Sequence, residues 1–173
     1  MRKLKNDELN RLDLKEYKTK EKHPVFIVLD NLRSAHNVGS IFRTCDAFLI
    51  EKICLCGITP YPPKKEIRKT ALGATQSVDW QYYKDTSSCL KELKANDVRI
   101  VSIEQAENAT QLQDAEIEHN KKTALVFGHE VSGVSQECIN LSDEVVEIPQ
   151  HGTKHSFNVS VSLGIVLWQL MSK

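Results

Sequence analysis

The sequence predicts an α/β fold with a mostly parallel sheet flanked by helices, and two observations support this. Short apolar segments rich in β-branched residues recur along the chain, and most are followed by a segment whose apolar residues repeat at helical spacing. Strands that alternate with helices in this way favour a parallel sheet. The length of 173 residues suits one domain with a substantial hydrophobic core.

The predicted elements follow one another from residue 24 onward. The clearest helix covers residues 34–48, and the last helix covers residues 157–173, where Val159, Leu163 and Val166 share one face. Strands are predicted at residues 24–30, 52–58, 78–83, 98–104, 123–128 and 143–149, further helices at 66–74, 87–97 and 135–141, and loops at 59–65 and 107–122.

The charge distribution is uneven although the net charge is zero. Residues 1–24 carry eight Lys/Arg against five Asp/Glu, and residues 61–70 carry four against one. Such basic segments can neutralise the phosphates of a nucleic acid. On charge alone, however, the favoured interpretation is that they are solvated parts of the surface without a ligand. We therefore expect a basic N-terminal extension over residues 1–23 and one domain over residues 24–173. The four basic residues of the second segment are Lys64, Lys65, Arg68 and Lys69.

Cysteine usage and hydropathy exclude several classes of protein. An odd number of cysteines, five, argues against a disulfide framework. Cys54 and Cys56 have no second Cys/His pair at zinc spacing, so we expect no metal. The N-terminus lacks the apolar core of a secretory signal, and no apolar run is long enough to span a membrane. A cytoplasmic protein without membrane partners is expected.

Glycines and hydrogen-bonding side chains follow three of the predicted strands. Ligands of open α/β sheets bind beyond the carboxyl ends of the strands, so these residues are candidates for a polar ligand site. Taken singly, each has a simpler interpretation as a helix cap, a turn glycine or a surface charge. The residues are Asn37 and Arg43 after the first strand, Gly128, Glu130 and Gly133 after the fifth, and Gly152, Ser156 and Asn158 after the sixth.

Several enzyme classes lack their motifs here. The first strand is not followed by G-x-G-x-x-G, and the chain holds neither a Walker phosphate loop nor a G-x-S-x-G hydrolase elbow. His129 and Glu130 begin an H-E-x-x-H pattern, but position 133 is glycine, so this zinc motif is incomplete.

Three segments in order resemble the SpoU/TrmH-type branch of the SPOUT RNA methyltransferases. They are NVGSIFRT at residues 37–44, LVFGHEVSGVS at 125–135 and EIPQHGTKHSFNVSVSLGI at 147–165. The loop at residues 59–74 is also similar to that family's. Small departures occur at Cys45, Gln150 and Phe157, where the family commonly has alanine, methionine and leucine.

The resemblance implies a fold, a cofactor and an assembly. It implies a C-terminal trefoil knot, which general folding rules would not have suggested. It also implies a homodimer whose first-motif and third-motif helices form the interface, with Val159, Leu163 and Val166 facing the partner. The cofactor would be S-adenosylmethionine, bound by Ile103, Gly128, Glu130, Ile148, Pro149, Phe157 and Asn158.

The reaction that the resemblance implies is methyl transfer to a ribose 2′-hydroxyl of RNA, with tRNA favoured over rRNA. A non-catalytic RNA-binding protein of the same fold and a flavodoxin-like protein are the alternatives. Because a guanidinium is very hard to deprotonate, we expect Arg43 to hold a phosphate and stabilise developing charge rather than act as the base. The implied catalytic set is Asn37, Arg43, Glu130, Ser156 and Asn158, and the RNA-binding set is Lys64, Lys65, Arg68 and Lys69.

Overall fold

A computed structural model describes residues 1–116 and 121–171 of the chain. In it, seven strands form one sheet in which every pairing is parallel, as the sequence predicted. The strand order across the sheet is β3-β2-β1-β6-β4-β7-β5. The strands are β1 (His23–Asp30), β2 (Ile50–Cys56), β3 (Asp79–Tyr83), β4 (Arg99–Ile103), β5 (Thr110–Gln111), β6 (Thr123–Phe127) and β7 (Glu144–Glu147).

Helices cover both faces of the sheet, which gives three layers. One face packs against α1, α2, α3, α4 and α7, and the other against α5 and α6. A short 3-10 helix (Asn6–Leu9) precedes them. The helices are α1 (Leu14–Thr19), α2 (Ala35–Ala47), α3 (Lys65–Ala71), α4 (Ala74–Ser77), α5 (Thr86–Ala95), α6 (Gln136–Leu141) and α7 (Val159–Met171).

Two predicted segments differ from the structure. The helix predicted at residues 66–74 closes near Gly73 as expected, because Leu72 and Gly73 adopt left-handed backbone conformations with φ of 49° and 97°, but a second short helix, α4, then begins at Ala74. The polar segment at residues 107–122 contains the short strand β5, which pairs with β7 at the edge of the sheet. Residues 117–120 of this segment lie outside the described residues.

The predicted partner-facing side of α7 is wrong. Val159, Leu163 and Val166 do share one face, but that face is buried in the chain's own core against the sheet and α2. The helix is apolar on nearly all sides, so helical periodicity alone does not identify the solvent-facing side. The opposite side carries Val161 and Trp168, which are exposed.

The N-terminal segment is attached to the domain through Tyr17. This side chain is 5% exposed and belongs to the main core cluster. The Lys22 ammonium donates to the Tyr17 carbonyl and lies 4.4 Å from the centre of its ring. A hydrogen bond from Lys18 to Asp79 also joins α1 to the edge strand β3.

All five cysteines are buried, and none forms a disulfide. Among the described residues, no group of three His, Cys, Asp or Glu side chains is arranged to hold a metal ion. Within the same residues, no helix is both long and apolar enough to cross a membrane.

Helices α2 and α3 pack closely at Gly39. A Cβ atom at this position would lie 2.0 Å from the Thr70 hydroxyl oxygen and 2.4 Å from the Ile67 carbonyl oxygen. The Thr70 hydroxyl donates to the His36 carbonyl at 2.9 Å, which fixes α3 against the first turn of α2. Glycine at position 39 therefore sets the separation of the two helices.

Gly39→Ala should destabilise the protein by about 1–3 kcal/mol, because the added methyl group forces α3 away from α2. In an open helical position the same change stabilises by roughly 0.5–1 kcal/mol. Chemical denaturation measures the difference. Gly152→Ala is the control, because a Cβ there meets nothing within 4 Å. Equal or greater stability of Gly39→Ala would contradict the close approach of the helices.

Candidate active site

A cavity of about 500 Å³ opens at the carboxyl end of the parallel sheet. The loops that follow β4, β6 and β7 form its walls, as expected for a ligand site in an open α/β sheet. Its volume is in the range of small-molecule sites. The lining residues are Ile103, Glu104, Gln105, Phe127, Gly128, His129, Glu130, Val131, Ser132, Gly133, Ile148, Gln150, His155, Ser156, Phe157, Asn158, Val159 and Ser162.

The loop after β6 is a tight hairpin. The backbone N–H of His129 donates to the Gly133 carbonyl at 3.0 Å, and the N–H of Gly133 donates to the His129 carbonyl at 2.9 Å. A Cβ on Gly128 would lie 2.1 Å from the backbone nitrogen of Val134. Because backbone atoms cannot move aside cheaply, only glycine allows the hairpin to close at this point.

Glu104 and Gln105 together join three of the loops that surround the cavity. The Glu104 carboxylate accepts hydrogen bonds from the backbone N–H groups of Gln105 and Val134, both at 2.8 Å. The side-chain amide of Gln105 then donates to the His155 carbonyl at 2.7 Å. The loops after β4, β6 and β7 are thus connected by side chains at the cavity wall.

Glu130 connects the hairpin to the start of α2. Its carboxylate accepts hydrogen bonds from the backbone N–H groups of Arg33 at 2.9 Å and Ser34 at 3.0 Å, and from the Asn37 amide at 3.2 Å. Partial burial acts to raise the pKa of Glu130, but these donors and its own backbone N–H together lower the pKa below its ordinary value. Glu130 is therefore a carboxylate at neutral pH.

Asn37 and Asn158 extend this contact to α7. The Asn158 amide donates to the Asn37 side-chain oxygen at 3.2 Å. The Asn158 oxygen accepts from the backbone N–H of Ser160 at 3.0 Å and from its hydroxyl at 2.7 Å, which caps the N-terminus of α7. Each amide has one fixed orientation, because the chain of donors ends on a carboxylate.

Asp30 holds the loops together below the cavity. This carboxyl group is 2% exposed and accepts from the Asn31 amide at 2.8 Å, the Ser135 backbone N–H at 2.9 Å and the Thr86 hydroxyl. It therefore joins the end of β1, the start of α5 and the end of the hairpin loop.

The charges at the cavity favour a cationic ligand. The carboxylates of Glu104 and Glu130 line it, whereas no lysine or arginine does so in the part of the chain that the structure describes. A nucleotide phosphate at this position would meet two carboxylates without a neutralising side chain, which disfavours flavin and nicotinamide dinucleotides.

Six of the seven predicted cofactor residues line this one cavity. The seventh, Pro149, lies in a neighbouring apolar groove that also contacts Ile148. The six that line the cavity are Ile103, Gly128, Glu130, Ile148, Phe157 and Asn158.

The structure brings together four of the five predicted catalytic residues. Asn37, Glu130 and Asn158 form one hydrogen-bonded chain, and Ser156 lines the same cavity. Arg43 is separate from them: it is exposed on α2, six residues beyond Asn37, or about 9 Å along the helix axis.

The four predicted RNA-binding residues are all exposed, on or next to α3. Lys64 precedes the first turn of this helix, and Lys65, Arg68 and Lys69 lie within it. Their side chains do not line the cavity, so they are placed for contacts with a larger ligand.

Sequence reasoning missed Glu104, Gln105 and Asp30. Glu104 ends the predicted strand at residues 98–104, so the rule that ligands bind beyond strand ends applied to it as well. Asp30 gave no signal, because only the fold brings the N-terminus of α5 and the hairpin to the end of β1.

Comparison with known proteins gives a consistent result. The model of the SpoU rRNA Methylase family matches residues 24–168. The tRNA (guanosine(18)-2'-O)-methyltransferase of Aquifex aeolicus is 29% identical over 160 residues, which are 90% of this chain and 72% of that protein.

Two solved structures have similar folds. The A. aeolicus TrmH/SpoU tRNA modifying enzyme has a TM-score of 0.79 and 28% identity, covering 90% of this chain and 78% of that one. The AdoMet-bound rRNA methyltransferase from Sinorhizobium meliloti has a TM-score of 0.78 and 25% identity, covering 86% of this chain and 56% of that one.

Glu130→Gln should lower the free energy of unfolding by about 1–3 kcal/mol at neutral pH, because an amide replaces a carboxylate among several N–H donors. The folded-state pKa of Glu130 lies below the ordinary value of 4.5. Its stabilisation is therefore complete above pH 4.5 and is lost as the pH falls through the lower, folded-state pKa. Denaturation between pH 3 and pH 7 tests this. The exposed Glu137→Gln is the control, and a difference that does not depend on pH would contradict the assignment.

Proposed function

The chain belongs to the SpoU rRNA Methylase family, and we propose that it transfers the methyl group of S-adenosylmethionine to a ribose 2′-hydroxyl of tRNA. One observation carries this proposal: the segments that resemble the family's second and third motifs line a cavity with the Glu130 carboxylate and the Asn158 amide, and the loop after β4 adds the Glu104 carboxylate. The A. aeolicus relative is named for 2′-O-methylation of a tRNA guanosine, which favours tRNA. Ribosomal RNA is the second candidate, because the S. meliloti neighbour is an rRNA methyltransferase.

The residues at the cavity fit S-adenosylmethionine. When bound, it supplies an electrophilic methyl group on a positively charged sulfonium. The carboxylates of Glu104 and Glu130 suit a ligand that carries positive charge. Ile103, Ile148 and Phe157 offer apolar contacts for an adenine ring, and the hairpin and the loop after β7 offer backbone groups.

The protein's part in the reaction is to position the ribose and stabilise charge. Glu130 and Asn37 hold the start of α2 in a fixed orientation, and Asn158 holds the end of the third-motif loop against Asn37. Ser156 lines the cavity and offers a hydroxyl to the polar groups of the cofactor. We assign Arg43 to RNA binding. Its exposed guanidinium forms a bidentate contact with an RNA phosphate and stabilises the negative charge that develops on the ribose 2′-oxygen.

Proton removal falls to water rather than to Arg43 or Glu130. A guanidinium does not give up its proton in a protein. Glu130 is a weak proton acceptor, because its donors lower its pKa, whereas an effective general base has a pKa near the working pH.

A second copy of the chain is the proposed occupant of the apolar groove on α7. Val161, Gly164, Ile165 and Trp168 recur at helical spacing along it, and Trp168 is 67% exposed. The family resemblance also implies a homodimer with this helix in its interface. Ile148 lines both the groove and the cofactor cavity, so dimer formation and cofactor binding are expected to support each other.

The trefoil knot, the domain limits and the location are also proposals. The path of the chain supports the knot. After β4 the chain forms β5 at the sheet edge, and it then returns to the centre of the sheet to form β6 beside β1. It next forms β7 between β4 and β5, and α7 finally packs on α2. The family match begins at residue 24, which supports a domain over residues 24–173 preceded by a basic extension. A tRNA substrate favours the cytoplasm.

The proposal is tested by methyl transfer from labelled S-adenosylmethionine to unmodified tRNA and rRNA, followed by nucleoside analysis. We expect a 2′-O-methylated nucleoside from tRNA. Arg43→Ala should reduce the rate a hundredfold or more with unchanged cofactor affinity, because charge stabilisation is lost in the transition state. Arg43→Lys keeps the positive charge but cannot form the bidentate contact, so its rate should lie between those of Arg43→Ala and the wild type.

Full activity of Arg43→Lys would contradict the bidentate contact. Cofactor binding without methyl transfer to any RNA would favour the non-catalytic RNA-binding alternative. Methyl transfer to rRNA but not to tRNA would show that the proposed substrate class is wrong.

Trp168→Glu should convert the dimer to a monomer, because a carboxylate would be buried in an apolar interface. Sedimentation velocity measures the change. Leu72→Glu is the matched control, because Leu72 is also 67% exposed but lies at the end of α3. A wild-type protein that is monomeric at micromolar concentration would contradict the proposal.

A further inference from the structure

Three aromatic side chains form a surface cluster that the proposed reaction does not use. The centres of the Tyr61 and Tyr82 rings are 4.8 Å apart, and those of Tyr61 and Trp80 are 6.4 Å apart with the rings at 26°. Tyr61 is 44% exposed and Tyr82 is 41% exposed, whereas Trp80 is partly buried against the main core. We propose that this aromatic cluster is a stacking platform for an unpaired base of the RNA substrate. This inference rests on the proposed function.

The cluster is held in place from below. Trp80 and Tyr82 are two residues apart on β3, so both lie on the sheet face that α2 and α3 cover. The Tyr82 hydroxyl donates to the Gly57 carbonyl at 3.0 Å, and the Gly57 N–H donates to the Tyr83 carbonyl at 3.1 Å. The rings are therefore ordered before a ligand binds, which reduces the entropy cost of stacking.

The loop that carries Tyr61 is also anchored. The buried Thr59 hydroxyl donates to the Leu29 carbonyl at 3.1 Å and accepts from the Leu32 N–H at 3.0 Å. These bonds attach the loop after β2 to the end of β1. The position of Tyr61 is therefore linked to β1, whose last residue, Asp30, also holds the hairpin loop of the candidate active site.

Two rings of the aromatic cluster lie toward the end of the sheet that holds the cofactor cavity: Tyr61 is in the loop after β2, and Tyr82 is the last residue but one of β3. The Ile58 N–H donates to the Asn31 side-chain oxygen at 3.1 Å, and the Asn31 amide donates to Asp30, which also holds the hairpin loop. The strands β3 and β6 are separated by β2 and β1, which corresponds to about 14 Å across the sheet. One RNA strand can therefore contact both places.

The charge beside the cluster favours a polyanion over a protein partner. Four exposed cations follow Tyr61 within eight positions, against Glu66 as the one acidic residue of that segment. On the other side, Lys18 and Lys52 line a cavity of about 390 Å³ with Trp80, although Lys18 is paired with Asp79. Aromatic faces among cations are typical of surfaces that bind single-stranded nucleic acid.

The test measures the affinity of the full-length protein for an unmodified tRNA transcript and for a single-stranded oligouridylate across a range of salt concentrations. Tyr61→Leu and Tyr82→Leu should weaken binding by about 5- to 100-fold, since base stacking is lost. The slope of log affinity against log salt should not change, because the phosphate contacts remain. Lys64→Glu with Lys65→Glu should instead flatten that slope by roughly one to two units.

Two controls separate stacking from a structural role. Tyr82→Phe keeps the ring and loses only the bond to Gly57, so it should weaken RNA binding far less than Tyr82→Leu does. Gln81→Ala changes the opposite face of the same strand and should have no effect. In a Trp168→Phe background, RNA should quench the fluorescence of Trp80, which is then the one tryptophan of the chain.

Four outcomes would overturn the inference. Two concern RNA affinity: Tyr61→Leu and Tyr82→Leu leave it unchanged, or Tyr82→Phe lowers it as much as Tyr82→Leu does. The other two are a changed slope of log affinity against log salt in the leucine variants, and dissociation of the dimer into monomers in these variants. If the wild-type protein methylates tRNA and the leucine variants bind RNA normally, the stacking role of the aromatic cluster is contradicted but the proposed function is not. If the wild-type protein binds no RNA, both the stacking role and the proposed function are contradicted.

Discussion

The hydrogen bonds from the backbone of Arg33 and Ser34 to the Glu130 carboxylate are the contacts on which the candidate active site depends. They join the hairpin after β6 to the first turn of α2, and the Asn37 and Asn158 amides continue the connection to α7. Segments more than 90 positions apart in the sequence are thereby held in one arrangement. Because the donors also lower the pKa of Glu130, the connection stays charged at neutral pH.

The same contacts restrict the chemistry. A carboxylate whose lone pairs are occupied by backbone donors orients its neighbours well but accepts a proton poorly. The cavity therefore offers placement and negative charge for a cationic methyl donor, and the exposed Arg43 offers positive charge for the RNA. Such a division of roles suits methyl transfer, because the sulfonium already activates the methyl group.

Much of the fold and part of the site could be predicted from the sequence, and the reasons differ by residue. The central strands β1, β2, β4 and β6 were predictable because buried parallel strands are continuous apolar runs, whereas the short edge strand β5 has no such run. The ends of the predicted strands identified Gly128, Glu130 and Asn158. The contact face of α7 was not predictable, because a helix that is apolar on nearly all sides has no distinctive period. Asp30 and the aromatic cluster depend on residues far apart in the chain, which only the sheet order brings together.

Calorimetric titration of S-adenosylmethionine into the wild-type protein and Phe157→Ala shows whether this cavity binds the methyl donor. Phe157 lines the cavity but is exposed, so its loss should leave the fold intact, which thermal unfolding verifies. We expect one bound S-adenosylmethionine per chain in the wild type and an affinity on the order of tenfold lower in the variant, where an aromatic contact is lost. A folded wild-type protein that binds no S-adenosylmethionine, or a variant that binds it equally well, would contradict the assignment of this cavity.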